Sequence, residues 1–212
     1  MTRDSLRLIL CAVFFCAFPC AAAEDWIIVP GLRAGPVTRT TSEKDLIRIL
    51  GAKNVKRADI DAAEGSTEPG TIVFPDDPKK TAYLIWRDSD KRDAPQWLSI
   101  RNEGTLWKTD KGVTIGTSLK SLEELNGKPF TLTGFGWDYG GTIIGYHGGR
   151  LAQLELPGQT RSLIVRLAPD SRLQQGADYD KVQGDKEFSS AHAAMKKLNP
   201  RVNELIYQFP EN

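Results

Sequence analysis

The segment from Gly134 to Gly141 concentrates residue types that could contact a ligand or a partner. It reads Gly-Phe-Gly-Trp-Asp-Tyr-Gly-Gly, so Trp137, Asp138 and Tyr139 lie between glycines that let the backbone turn sharply. Tryptophan and tyrosine are enriched among the residues that dominate binding energy at protein interfaces. We therefore predict a binding site here. The alternative interpretation is that both rings cover the sheet where the second of two repeats meets the first.

His147 is the nearest residue that could add acid–base chemistry to this segment. The chain has two histidines, and His147 lies in a glycine-containing turn, whereas His192 lies at a predicted helix start. An imidazole titrates near neutral pH, so His147 and Asp138, with Tyr139 nearby, could serve a small hydrolase or lyase. That alternative requires His147 and Asp138 to meet in a cleft. We include His147 among the candidate binding residues, with Trp137, Asp138 and Tyr139.

Other catalytic and cofactor signatures do not occur in the sequence. There is no Gly-x-Ser-x-Gly motif, and all three cysteines lie within the first 20 residues. The Gly-Phe-Gly at residues 134–136 precedes a predicted strand, which is the wrong context for a phosphate-binding loop. The acidic turn at residues 88–93 places Lys91 and Arg92 where a calcium loop needs oxygen ligands and a glycine. We therefore predict no catalytic residue, no metal and no cofactor.

Residues 1–23 have the features of a cleavable signal peptide. Two arginines precede an apolar run at residues 8–18, and three alanines end at Ala23. The run is too short to span a bilayer. A lipoprotein signal needs a small residue before its cysteine, whereas Pro19 precedes Cys20. We expect cleavage after Ala23, no lipid anchor, no transmembrane segment in the mature chain, and a periplasmic or secreted protein.

The charge balance excludes two classes of partner. Without the leader residues Arg3, Asp4 and Arg7, basic and acidic residues are equal in number, and neither half of the chain is strongly basic. A nucleic-acid or anionic-membrane binder would carry a basic surface. The expected mature chain has no cysteine, so burial rather than disulfides must stabilise it. We expect its partner to be another envelope or secreted protein, and the sequence leaves its oligomeric state open.

An internal repeat predicts the organisation of the fold. Residues 37–51 and 113–127 are identical at seven of 15 positions, and each copy contains a capping serine and ends with glycine. A fixed internal period indicates one structural unit used twice. The predicted strands are residues 71–74, 82–87, 96–101 and 105–108 after the first copy, and 130–135, 141–146, 151–156 and 163–167 after the second. We predict that residues 52–69 form a polar loop with one helical turn near 58–63.

The predicted fold class is α+β, with two tandem repeats of a short helix packed on an antiparallel sheet. Most strand connections are short, which favours antiparallel pairing. A C-terminal helix ending near Lys197 and a strand at residues 202–209 complete the chain. The predicted units are residues 24–110, 111–168 and a C-terminal extension at 169–212.

The second copy also carries a family resemblance. Its Gly-Thr-Ser at residues 116–118, Leu122, and Gly-x-Pro at 127–129, followed by an aromatic-containing hairpin, resembles the helical motif of the small outer-membrane-assembly lipoproteins. The first copy departs from this motif at Thr40 and Lys53. The tandem arrangement resembles the beta-lactamase inhibitory proteins, and the whole chain resembles exported bacterial proteins. The resemblance implies a non-enzymatic protein whose sheet surface contacts another protein, as an inhibitor or as an envelope scaffold or assembly factor.

Overall fold

The computed structural model describes residues 25–154 and 162–211, in which thirteen strands and four α-helices form an α+β fold. The strands are β1 (Ile27–Val29), β2 (Arg33–Ala34), β3 (Val37–Thr38), β4 (Val55–Asp61), β5 (Thr67–Val73), β6 (Ala82–Trp86), β7 (Pro95–Ile100), β8 (Lys108–Thr109), β9 (Thr131–Thr133), β10 (Ile143–Gly145), β11 (Leu163–Ala168), β12 (Glu187–Ser189) and β13 (Arg201–Gln208). The helices are α1 (Glu43–Leu50), α2 (Leu119–Asn126), α3 (Ala177–Asp180) and α4 (Ala193–Leu198). The predicted fold class, α+β with mainly antiparallel strands, is confirmed.

A six-stranded antiparallel sheet forms the centre of the fold. Its strand order is β11–β13–β7–β6–β5–β4, so β4 is an edge strand that, in the described part of the chain, pairs only with β5. Alternation along β13 buries Val202, Leu205 and Tyr207 on one side of the sheet. The residues next to Leu205 and Tyr207 in the strand, including Ile206 and Gln208, remain partly exposed on the other side. This second side is the half-exposed face of the central sheet.

Two small sheets and the helices cover the buried side and the ends of the central sheet. One small sheet has the order β3–β2–β1–β8 and the other β10–β9–β12. Their strands are only two or three residues long, which explains why sequence periodicity did not indicate β1, β2, β3 or β12. No helix in the part of the chain that the structure describes is long and apolar enough to cross a membrane.

Helix α1 is joined to the central sheet through a buried carboxylate. Ser42 caps its first turn, and the adjacent Glu43 has a side chain only 8% exposed. Glu43 accepts hydrogen bonds from Arg57 Nη2 at 2.6 Å and Thr71 Oγ1 at 2.9 Å, with an Arg92 nitrogen at 3.8 Å. Burial opposes ionisation of Glu43, but these hydrogen bonds and the two nearby guanidinium charges outweigh it and lower its pKa.

Three predicted segments have a different structure. Residues 52–69 contain the seven-residue strand β4, paired with β5 from Val55 opposite Val73 to Asp61 opposite Thr67, and the only helical turns there are 3-10 turns at Ala52–Asn54 and Ala63–Gly65. The prediction of a loop was wrong because an edge strand with mostly exposed residues lacks apolar alternation. The strand predicted at residues 105–108 is reduced to the short β8. Residues 152–154, predicted as strand, form a 3-10 turn, and residues 155–156 lie outside the described part.

Helices α1 and α2 match each other as the predicted tandem repeat requires, whereas the strands that follow them do not match as well. Ser42 and Ser118 cap α1 and α2, and Gly51 and Gly127 follow their last residues. However, the four strands β4–β7 after α1 share one sheet, whereas β9 and β10 after α2 lie in a small sheet and β11 joins the central one. The tandem repeat therefore stays a prediction. The C-terminal strand β13 lies between β11 and β7, at the middle of the fold, and the predicted leader lies outside the described residues.

Candidate binding cleft

The β4–β5 hairpin bends over the half-exposed face of the central sheet and forms one wall of a cleft. Ile60 is only 2% exposed although it belongs to an edge strand. The close approach requires Gly70, because a Cβ there would lie 2.6 Å from Ile60 Cγ1 and 2.5 Å from the Leu84 carbonyl oxygen. Arg101 Nη2 then donates to the Asp61 carbonyl oxygen at 3.1 Å. The bent hairpin is thus held directly above the floor of the cleft.

The opposite wall is the glycine-rich loop at residues 134–141, between β9 and β10. Gly141 has φ +71°, and a Cβ at this position would overlap the carbonyl oxygen of Leu167 in β11. Leu167 N donates to the Gly141 carbonyl oxygen at 2.9 Å, so the loop lies against the central sheet. The hydroxyls of Thr133 and Thr142 both donate to the Tyr139 carbonyl oxygen, at 3.0 and 2.8 Å. These contacts fix the part of the loop that presents the aromatic residues.

Trp137 and Tyr139 form an edge-to-face pair on the surface of this loop. Their ring centroids are 5.5 Å apart. Trp137 Nε1 donates to the Gly134 carbonyl oxygen, and the Arg166 guanidinium lies 5.6 Å from the Tyr139 ring centre. Even so, 39% of Trp137 and 44% of Tyr139 remain exposed. The two rings therefore combine a fixed position with a large accessible apolar surface.

Asp138 joins the two walls. Its Oδ2 accepts a hydrogen bond from the backbone N–H of Glu64, at the tip of the β4–β5 hairpin, with a separation of 3.1 Å. Glu64 has φ +59°, a left-handed conformation that non-glycine residues adopt rarely. The carboxylate of Asp138 thus stabilises a turn with an unfavourable backbone conformation. It also connects two segments that are 74 residues apart in the chain.

The floor of the cleft contains a paired cluster of charges on three neighbouring strands. Glu204, with a side chain 12% exposed, lies 2.8 Å from Arg166 Nη1 and 3.0 Å from Arg101 Nε. Ser99 Oγ donates to the same carboxylate at 3.1 Å. Both guanidinium groups therefore have a carboxylate partner inside the protein. Trp97 and the aliphatic side chains of Ile164 and Ile206 complete the floor.

The cleft between these walls has a volume of about 580 Å³. Its size falls within the range of small-molecule sites and also suits a side chain of a partner protein. Asp138 and Tyr139 line it, together with hairpin residues of the opposite wall. Trp137 extends the same surface outward through its contact with Tyr139.

His147 lies apart from the other three predicted site residues. It does not line the cleft, and its Nε2 lies 2.7 Å from Thr131 Oγ1 in the turn after β10, where its φ is +52°. No hydrogen bond connects His147 with Asp138 in the described ranges. His192 has a structural role, since its Nδ1 accepts from Ala194 N at the start of α4. Among residues 25–154 and 162–211, no group of three or more histidine, cysteine, aspartate or glutamate residues is arranged to hold a metal ion.

Sequence reasoning identified the loop wall of the cleft but missed its floor and the hairpin wall. The alternation of Glu204, Ile206 and Gln208 with buried residues was a signal that one face of β13 is partly exposed. The hairpin carboxylates gave no such signal, because their strand was interpreted as a loop. Pairing between strands distant in the chain is what brings these residues together.

Comparisons with protein-family models, with curated proteins and with solved structures found no match to this chain. The inferences about its function therefore depend on the geometry and chemistry of the cleft. The most informative features are the bent sheet face, the exposed aromatic pair and the distribution of charge around them.

Proposed function

We propose that the chain is a non-catalytic, exported binding protein, periplasmic or secreted, that holds another envelope or secreted protein through this cleft and the Trp137–Tyr139 pair. The observation that carries the proposal is the position of two partly exposed aromatic rings beside a concave sheet face. Both rings are fixed by contacts within the protein, so little conformational entropy is lost when a partner covers them.

The surface has the anatomy of a protein-binding site. Partly exposed aromatic rings lie beside charged residues of the cleft lining, as in many interfaces with a polar rim. The Arg166 guanidinium beneath Tyr139 supports the ring from inside the protein. Hydrogen bonds hold the loop backbone beside the rings, which favours binding without large rearrangement.

The hydrolase or lyase alternative has less support. It needs His147 and Asp138 within hydrogen-bond reach of each other and of a substrate. Asp138 instead accepts from the backbone of Glu64, and His147 is hydrogen-bonded to Thr131 outside the cleft. These contacts give Asp138 a role in holding the two walls together and keep the His147 side chain on Thr131, so they do not support a His147–Asp138 acid–base pair.

Within the binding class, an inhibitor of a secreted enzyme is our first choice and an envelope scaffold the second. The resemblance to tandem helix-plus-sheet proteins implies both. A concave face with a projecting aromatic loop suits an inhibitor, because such a loop can enter a partner's active site. A scaffold would present a flatter apolar surface.

A pull-down from an envelope extract tests the proposal. The double variant Trp137→Ala/Tyr139→Ala should lose a specific partner that the wild type retains, because it removes the apolar centre of the surface. The matched control is Leu32→Ala/Ile47→Ala, which removes two exposed apolar side chains that do not line the cleft. Circular dichroism would confirm that both variants are folded.

Two results would count against the proposal. An unchanged set of partners in the Trp137→Ala/Tyr139→Ala variant would remove this surface as the binding site. Equal losses in the test and control variants would indicate that capture depends on general surface hydrophobicity rather than on this loop.

A further inference from the structure

The wall formed by the β4–β5 hairpin carries three carboxylates that face water. Asp61, Glu64 and Glu68 are exposed and line the cleft. None of the three side chains forms an ion pair with any residue in ranges 25–154 and 162–211. Across the cleft, Asp138 is hydrogen-bonded to a backbone N–H and has no cationic side chain as a partner in those ranges. The upper part of the cleft therefore has a negative charge that the protein does not itself neutralise.

The arginines on the floor do not offset this charge. Arg101 donates to Ser99 Oγ, to Glu204 and to the Asp61 carbonyl oxygen. Arg166 is paired with Glu204 and packed against Tyr139. With five carboxylates and two guanidinium groups, the lining has a formal charge of −3, whereas the whole chain has a net charge of +1.

We infer that the cleft receives a lysine or arginine side chain of the partner protein. This inference rests on the proposed function, since it assigns the chemistry of the partner at the same surface. The carboxylates of the hairpin and Asp138 would face the incoming cation from two sides. Trp97 on the floor offers an aromatic ring for the aliphatic stem or for a cation–π contact.

The geometry favours a side chain of a protein over a small free cation. The acidic cleft is continuous with the Trp137–Tyr139 surface, and a small cation would leave those rings exposed. A protein segment can place a basic side chain in the cleft and apolar residues on the rings together. Carboxylates around a concave surface also accelerate encounter with a basic partner, because the focused negative potential steers association.

The first test is selection of displayed random peptides on the immobilised full-length protein. We expect selected peptides to contain lysine or arginine beside an aromatic or aliphatic residue. Synthetic versions of these peptides should bind about tenfold more weakly to the variant Asp61→Asn/Glu64→Gln/Glu68→Gln than to the wild type. Raising the salt concentration should weaken wild-type binding, because exposed charge pairs are screened.

The matched control is Asp76→Asn/Asp90→Asn/Glu187→Gln. It changes the net charge by the same amount at three exposed carboxylates outside the cleft lining. Peptide affinity for this variant should stay within about twofold of the wild type. A second peptide series, with citrulline or norleucine in place of each basic residue, should bind the wild type as weakly as the original peptides bind Asp61→Asn/Glu64→Gln/Glu68→Gln.

Three outcomes would contradict the inference. Enrichment of acidic or uncharged peptides would overturn it, and so would equal peptide affinity for Asp61→Asn/Glu64→Gln/Glu68→Gln and the wild type. No enrichment at all would overturn it as well. In each of these cases, a partner captured by the wild type and lost in Trp137→Ala/Tyr139→Ala would leave the proposed binding function standing.

Discussion

Carboxylate side chains near the central sheet differ in whether they have partners within the protein. Glu43 on the buried face is enclosed by Arg57, Arg92 and Thr71 and holds α1 in place. The hairpin carboxylates that line the cleft have no such partners among residues 25–154 and 162–211. Glu43 and its partners thus stabilise the fold, whereas Asp61, Glu64 and Glu68 are exposed to solvent.

Replacing Glu43 by glutamine should destabilise the protein by about 2 kcal/mol at pH 7, because the largely buried Arg92 loses its carboxylate partner. The pKa of Glu43 is lowered on folding, so its contribution is complete above the pKa of the unfolded chain and is lost as pH falls through the folded-state pKa. The difference between wild type and variant should therefore shrink below about pH 4. Urea unfolding of wild type and variant at several pH values measures this difference in the free energy of unfolding.

The equivalent change Glu124→Gln, on the exposed surface of α2, is the control for this prediction. It should alter the free energy of unfolding by less than about 0.5 kcal/mol. A Glu43→Gln variant as stable as wild type at pH 7 would show that the carboxylate does not hold α1.

Tyr207 should make the protein sensitive to alkali. Complete burial raises its pKa from 10.0 to about 12. Between these values the unfolded chain loses the proton while the folded protein retains it, so stability falls as pH rises from 10 to 12. Tyr207→Phe lacks the titrating hydroxyl, so its free energy of unfolding should fall less over this range. Between pH 7 and pH 12 the loss of stability in the variant should be smaller than in the wild type by on the order of 2 kcal/mol. Equal slopes in urea unfolding across this range would contradict the prediction.

At the scale of elements, glycine positions decide where the hairpin and the loop lie. Gly70 lets Ile60 pack onto the sheet, and Gly141 lets the loop contact β11. Both glycines are visible in the sequence, but their neighbours are not, since Leu84 and Leu167 reach them through strand pairing. A pattern of glycines predicts sharp turns, but it does not predict which strand they approach.

Gly70→Ala should therefore lower the free energy of unfolding by about 1–3 kcal/mol, because the added methyl group overlaps Ile60 and the Leu84 carbonyl. Gly176→Ala is a suitable control, since it has a negative φ of −132° and no atom within 4 Å of the added carbon. The control should stay within about 0.5 kcal/mol of wild type. Thermal or urea unfolding measures both variants. Equal stabilities would show that Ile60 and the Leu84 carbonyl do not lie as close to Gly70 as the structure places them.

For the whole molecule, the sequence predicted the types of secondary structure well but predicted poorly which strands pair with each other. Short connections and capped helices predicted α+β with antiparallel strands. They did not predict that β13 would lie between β11 and β7, because its partners are distant in the chain. The same limit applies to the cleft: Trp137, Asp138 and Tyr139 are contiguous and were predicted, whereas Arg101, Arg166 and Glu204 meet only after folding.

The edge strand β4 also has a consequence for how copies of this protein behave at high concentration. An unpaired strand edge is a template for another chain, and addition of strands from copy to copy leads to aggregation. Along β4, Lys56, Arg57, Asp59 and Asp61 place charges of both signs on four of its seven residues. These charges and the bend near Gly70 disfavour a flat, dry contact between two such edges. We therefore expect the strand that forms a wall of the cleft to resist pairing with the same strand of a second copy.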